Sequence, residues 1–310
     1  MTLTAPQLHP EYHHRALLHR GPEDLATRIG PTLTEAFHRY EPVHLSLALD
    51  EWTALRDLVG PIVDRAESLA APERYANPGR AMAAIHDFVQ RATSQGAAAA
   101  WSVGTVQIEG DAHRDARWAR YESAVETILG LTPLKGICVY DVNAPAEVLS
   151  TVRRCHAYLD EPGVGLRRCT EHRPYQHETV HWQHREATPV IDTTVTRASQ
   201  IRHDLSETLH DVLGSSRIDD LQLVATELVT NGMRHGDGPV TLRAWDQGDQ
   251  VVIEVSDSGG GIDDPYADLR PQRGGANGGW GMWLLGQLAD QVSIGRESDR
   301  TVVLAALRRS

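Results

Sequence analysis

Three short segments near the C-terminus place the tightest limits on what this 310-residue chain can fold into. Glu227-Leu228-Val229-Thr230-Asn231 comes first, Asp257-Ser258-Gly259-Gly260-Gly261 second, and Gly279-Trp280-Gly281-Met282-Trp283-Leu284 third. From Leu221 to His235 the apolar residues Leu221, Val224, Ala225, Leu228 and Val229 recur at helical spacing, which puts Glu227 and Asn231 one turn apart on the same side. A carboxylate and a carboxamide so paired suit a hard, six-coordinate cation such as Mg²⁺ beside a phosphate chain. A solvent-facing Glu with an Asn near a helix end has the same spelling. Asp219 and Asp220 supply negative charge toward the helix start, and His235-Gly236-Asp237-Gly238-Pro239 ends it, with a glycine expected in the left-handed conformation.

Two strands are expected next, Val240 to Trp245 and Val251 to Val255, joined by the turn Gln247-Gly248-Asp249. Asp257 follows the second strand directly. Ionised, it only accepts hydrogen bonds and suits an exocyclic amine such as that of adenine, while the glycines after it let a base approach the backbone. From Gly274 to Gly281, five of eight positions are glycine, and an apolar helix from Met282 follows. A glycine turn that opens a helix offers backbone N–H groups to a triphosphate, and Ile262 to Gly278 reads as a mobile lid. Neither the P-loop nor the dinucleotide fingerprint is matched, since no Gly-Lys-Ser/Thr occurs.

These residues resemble the N, G1 and G2 boxes of the GHKL (histidine-kinase-like) ATPases over roughly Val195 to Leu307. Their wording is most similar to the small bacterial anti-sigma-factor serine kinases. The resemblance implies a Bergerat two-layer α/β sandwich that binds ATP and Mg²⁺, with Asn231 on the metal ion and Glu227 as the base for the attacking hydroxyl. It puts Asp257 on adenine, with Gly259 and Gly261 beside it. The Gly279 and Gly281 amides fall on phosphates, and His235 and Met282 join the nucleotide wall. Gly232 departs from the family's usual Ala, which weakens the helix by about 1 kcal/mol. The implied partners are a sigma factor and an anti-anti-sigma protein of STAS type, and the implied assembly is a homodimer.

The remainder is expected to hold a second domain. Helical segments at 21–40, 51–59, 78–95 and 115–129 alternate with strand-like Val43 to Leu49, Ala97 to Val106 and Gly136 to Tyr140, the pattern of a mostly parallel sheet covered by helices. Tyr12-His13-His14-Arg15-Ala16-Leu17-Leu18-His19, Glu41-Pro42-Val43, Arg120-Tyr121-Glu122 and Val139-Tyr140-Asp141 resemble the MEDS sensory domain, which implies a RecA-like α/β sandwich and a sensory input. Arg120, Tyr121 and Glu122 could line its cleft; a surface helix face is the preferred reading. The expected division is 1–159 sensory domain, 160–194 linker and 195–310 ATPase domain. In and just before the linker, Cys155-His156, Cys169 and His172, with His177, His181 and His184 beyond, could bind zinc or another soft metal. A solvated polar linker is preferred.

A formal net charge of −12 argues against sequence-independent binding to nucleic acid or membranes. With no long apolar run, and with three cysteines that leave one unpaired in any disulfide scheme, a reducing cytoplasm is expected. Three functions compete. The first is an anti-sigma factor and serine-protein kinase that controls an alternative sigma factor by partner switching. The second is a catalytically silent nucleotide-binding regulator that sequesters a partner. The third is a two-component histidine kinase, with His203 or His210 as phosphoacceptor. That one lacks a dimerisation hairpin, because the helix from Thr196 to Val212 is needed as the ATPase domain's own first helix.

Overall fold

The computed structural model describes residues 9–10, 12–68, 75, 77–105, 112–173, 186–271 and 280–309. The chain divides into two compact units, Met1–Tyr175 and Gln176–Ser310.

The first unit is built on a seven-stranded sheet: β1 (His13–His19), β2 (Val43–Ser46), β3 (Glu67–Ser68), β4 (Ala100–Thr105), β5 (Leu134–Asp141), β6 (Tyr158–Glu161) and β7 (Gly165–Arg168). They run in the order β3-β2-β4-β5-β1-β6-β7. Every pairing is parallel except the β6–β7 hairpin at the edge. Parallel neighbours require crossover connections, and helices supply them: α1 (Pro22–His38), α2 (Leu49–Val59), α3 (Pro78–Ser94), α4 (Ala112–Leu129) and α5 (Ala146–Cys155). The apolar face of α1, with Leu25, Ile29 and Leu33, packs with Leu55 of α2 on Leu17, Leu45, Ile137 and Val139 of the sheet. Pro78 occupies the first position of α3, and the Asn77 side chain caps it by accepting the Arg80 N–H at 3.0 Å.

Residues 160–168, expected in a linker, extend this sheet as β6 and β7. Asp160 pairs with Arg28 and lies 4.0 Å from Arg15, which ties the strand to β1 and α1. Arg120, Tyr121 and Glu122 do not sit on a surface face. All three are buried, Glu122 completely, because the same side of α4 carries Trp118 and Val125 into the interior.

The second unit is a two-layer sandwich. Strands β8 (Ile191–Val195), β9 (Val240–Asp246), β10 (Gln250–Asp257), β11 (Gln291–Glu297) and β12 (Arg300–Arg308) form an antiparallel sheet in the order β11-β12-β10-β9-β8. Helices α6 (Ala198–Leu213), α7 (Ser215–His235) and α8 (Trp280–Leu288) share one core with it. The helical spacing of Leu221, Val224, Ala225, Leu228 and Val229 drives α7 onto that core, and each fully buried leucine or valine stabilises the fold by about 1.5–3 kcal/mol. Helix α6 adds Ile201, Leu205 and Leu209 to the same core. Gly214, at φ 73°, separates α6 from α7 with a bend that a side chain would strain. Helix α7 therefore starts at Ser215, earlier than the sequence periodicity predicts. Its charges at Arg217 and Asp220 form an i,i+3 pair rather than an end cap.

Candidate functional site

The end of α7, the end of β10 and the start of α8 meet around a cleft with a volume of about 560 Å³. Asn231, His235, Asp257, Gly259, Gly261 and Met282 all line it, so the three separated sequence segments contribute to one cavity. Gly279 lies outside the described residues. Val255, Ile262, Ala267 and Val303 give the cleft an apolar wall, and Thr301 enters from the strand beside Asp257, its register partner. Sequence reasoning does not find Thr301, because its place depends on a long-range antiparallel register.

Asp257 is the last residue of β10, and its Oδ1 accepts the Gly259 N–H at 2.7 Å. That bond folds the glycine segment back over the carboxylate and leaves Oδ2 toward α7, where a Cβ at Gly232 would lie 3.5 Å away. Gly236 does not take the left-handed conformation expected of a glycine in this segment: its φ is −84° and its ψ 163°. The position needs glycine for another reason, since a Cβ there would stand 2.5 Å from Asp257 Oδ1. The left-handed residue is Gly238, at φ 78°. Gly232 is also explained by space, because a Cβ would meet Val240 Cγ2 at 3.1 Å and Cγ1 at 3.3 Å. The helix propensity lost at this position is offset by unstrained contact with β9.

Glu227 and Asn231 are half-buried on the α7 face that meets α8. A Cβ at Gly281 would lie 2.7 Å from Glu227 Oε2 and 3.0 Å from Asn231 Nδ2. The bare glycine thus lets the N-terminal turn of α8 press its backbone directly against both side chains. Among the described residues, neither side chain is taken up in a hydrogen bond. This leaves a carboxylate and an amide oxygen available beside a helix N-terminus, an arrangement suited to anionic phosphate and its counter-cation.

The stretch expected as a mobile lid is anchored over its described part. Asp264 accepts the Tyr266 N–H at 3.0 Å and pairs with Arg270 at 2.6 Å, while Tyr266, Asp268 and Leu269 are buried. Gly286 of α8 packs so closely that a Cβ there would stand 2.0 Å from the Asp268 carbonyl oxygen. Residues 272–278, the rest of that stretch, lie outside the described residues.

Among the described residues, the zinc site suggested by the sequence is not assembled. Cys155 turns its thiol to the Ala119 carbonyl at 3.4 Å, and Cys169 turns to the Arg153 carbonyl at 3.2 Å. His172 lies 3.9 Å from Glu126. Because each group has its own partner, the three do not share a coordination centre. His177, His181 and His184 lie outside the described residues. His203 and His210 sit half-exposed or exposed on α6, beside Glu207 at 3.7 Å and Asp211 at 3.3 Å. Helix α6 belongs to the core of the second unit, as the sequence requires of that unit's first helix. Among the described residues, no helix is long and apolar enough to cross a membrane.

Comparison with known families places these two architectures. Residues 191–307 match the histidine kinase-like ATPase domain. Residues 13–157 match MEDS, the methanogen/methylotroph, DcmR sensory domain. Among curated proteins, the serine-protein kinase RsbW of Bacillus pumilus (strain SAFR-032) is 30% identical over 102 residues. That match takes in 28% of this chain and spans 63% of the relative's length.

Proposed function

We propose that this chain, in which a MEDS domain precedes a histidine kinase-like ATPase domain, is a cytoplasmic anti-sigma factor with ATP-dependent serine-protein kinase activity. One observation supports the reading most. Asn231, Asp257, Gly259 and Gly261, dispersed over α7 and the end of β10, line one cleft, and Gly281 presses the start of α8 onto Glu227 beside it.

In this reading Asp257 accepts a hydrogen bond from adenine's exocyclic amine, and Gly259 and Gly261 let the base lie against backbone. His235 and Met282 close the nucleotide wall. Asn231 would hold Mg²⁺, which when bound neutralises charge on the phosphates. The Gly281 N–H, in the first turn of α8, would donate to the same phosphates, and the family resemblance would add that of Gly279. Glu227 accepts the proton of a partner's seryl hydroxyl as its oxygen bonds to the γ-phosphorus and the bond to ADP breaks. Positioning and charge neutralisation carry most of such a reaction. The likeness to the serine-protein kinase RsbW supports a seryl acceptor. The partners in this reading are a sigma factor and an anti-anti-sigma protein of STAS type, exchanged according to phosphorylation, with the kinase acting as a homodimer.

Thermal unfolding with and without ATP and Mg²⁺ tests the site. The wild-type chain should be stabilised in proportion to RT ln(1 + [L]/Kd), and Asn231→Ala should lose most of that shift. Equal stabilisation of both proteins would remove Asn231 from the nucleotide site.

A further inference from the structure

We propose that His14, Glu122, Cys138 and His156 of the first unit form a binding site for one thiophilic divalent transition-metal ion, zinc by preference. The four come from distant parts of the chain. His14 is on β1 and Cys138 on the adjacent parallel strand β5, where His14 is level with Gly136 and Ala16 with Cys138. Strand alternation therefore turns both side chains to one face of the sheet, opposite to Leu17, Ile137 and Val139, which pack under α1 and α2. Helix α4 brings Glu122 to that face, and the residue that ends α5 brings His156. Gly136 leaves room for the His14 ring, since a Cβ there would be 3.1 Å from its Cδ2.

The donor atoms have the spacing of a coordination shell. Glu122 Oε2 lies 3.3 Å from His14 Nε2, 3.2 Å from His156 Nε2 and 3.2 Å from Cys138 Sγ. His14 Nε2 and Cys138 Sγ are 3.3 Å apart, and all four donors fall within 4.8 Å of one another. Around a tetrahedral zinc ion with bonds of about 2.0–2.1 Å to N and O and about 2.3 Å to S, donors stand roughly 3.3–3.6 Å apart. Small side-chain rotations bring the set to that geometry.

His156 is the strongest pointer to a cation. Its Nδ1 lies 2.9 Å from the Val152 carbonyl oxygen, so in the neutral ring Nδ1 carries the proton and Nε2 the lone pair. That Nε2 is fully buried and, among the described residues, makes no hydrogen bond, although the Glu122 carboxylate is 3.2 Å away. Two acceptors therefore face each other across the space a cation would fill. The Nδ1–H···O=C bond is also the outer-shell contact that orients metal-binding histidines.

The charge balance agrees. Glu122 is completely buried, and its partners among the described residues are His14, His156, Cys138 and Tyr140, none of them a fixed cation. A carboxylate and a thiolate together offer two negative charges, the complement of a divalent ion. Two nitrogens, one sulfur and one oxygen in a compact set favour zinc over oxygen-seeking Mg²⁺ or Ca²⁺. Cys138 is only partly buried, which gives the ion a way in.

The test uses the full chain, stripped by a chelator and titrated with Co²⁺. One equivalent should bind, with the intense visible bands of a four-coordinate site and a sulfur-to-cobalt charge-transfer band, and Zn²⁺ should bleach both. Cys138→Ser should abolish the charge-transfer band, and His156→Ala should weaken Co²⁺ binding at least tenfold. Cys155→Ser/Cys169→Ser, which leaves Cys138 as the sole thiol, should keep every band and decides the matter if Cys138→Ser does not fold. Absence of a saturable band in the wild type, or loss of the charge-transfer band in the Cys155/Cys169 variant, would overturn the site and leave a hydrogen-bonded polar cluster. The readout requires no kinase activity, so it stands apart from the ATP-site reading.

Discussion

Gly281→Ala separates nucleotide chemistry from fold stability. The added Cβ would lie 2.7 Å from Glu227 Oε2, 3.0 Å from Asn231 Nδ2 and 3.3 Å from Glu227 Cβ. Two of these neighbours are the ends of flexible side chains, and each must retreat by roughly half an ångström to reach ordinary van der Waals separation. The fold tolerates this, because Ala is favoured over Gly within a helix by about 1 kcal/mol and opposes the strain. Unfolding of the nucleotide-free protein should change by no more than ~1 kcal/mol. The site fares worse. A displacement of about 1 Å at reacting groups costs on the order of 10²-fold. Half that displacement predicts a loss of about tenfold in ATP·Mg²⁺ affinity or phosphoryl transfer, equivalent to ~1.4 kcal/mol. Titration calorimetry with ATP and Mg²⁺, read beside urea unfolding of the same protein, measures both quantities. If Gly281→Ala bound and transferred phosphate like the wild type, the pairing of Glu227 and Asn231 against α8 would have no functional meaning.

Two further changes probe the scaffold. Gly286→Ala drives a Cβ to within 2.0 Å of the Asp268 carbonyl oxygen, a backbone atom that cannot swing aside. It should destabilise the second unit by about 1–3 kcal/mol, and an unchanged urea midpoint would show that the turn at 264–270 is not anchored on α8. In the first unit, His19 Nε2 lies 3.4 Å from Glu51 Oε1. Burial pulls His19 down, but the hydrogen bond and charge of Glu51 outweigh it and raise the imidazole above 6.5. Burial raises Glu51, yet its bonds from His19, Thr105 and Ala48 bring it below 4.5. The His19 contribution is complete below pH 6.5 and fades as pH rises through the folded-state value; that of Glu51 is complete above pH 4.5 and fades as pH falls through its own. The stability gap between wild type and Glu51→Gln should therefore be widest between these two values, and a gap that stays flat across the pH range would dismiss the pair.

Much of the candidate cleft is legible in sequence because it rests on local spacing. The i,i+4 pair Glu227 and Asn231, the Asp257 strand end and the glycine before an apolar helix all announce themselves within short windows. What stayed hidden depends on tertiary approach. Gly236 ends α7 as its spelling suggests, but its closeness to the Asp257 carboxylate, across 21 residues of sequence, is not legible there. Strand β1 has only Ala16, Leu17 and Leu18 as an apolar run among histidines and an arginine, and its place at the centre of the parallel sheet comes from β5 and β6 on either side. The β6–β7 hairpin carries Asp160, Glu161, Arg167 and Arg168 and reads as a polar linker until its pairing is seen. Helix α4 misled for a similar reason: its buried face includes Arg120 and Glu122, so polarity pointed outward where the packing points inward. The group around Glu122 is the extreme case, since His14 and Cys138 are 124 residues apart and only the register of two parallel strands brings them together.

The most direct measurement is phosphoryl transfer itself. The chain should be incubated with γ-labelled ATP, Mg²⁺ and STAS-type anti-anti-sigma proteins from the same genome, alongside Glu227→Gln. Phosphate is predicted on a partner's serine, stable in acid, and transfer should fall at least tenfold in the variant, while ATP binding changes little, because removing a general base costs about 10²–10⁴-fold. Acid-labile phosphate on His203 or His210, or no transfer to any such partner, would contradict the account.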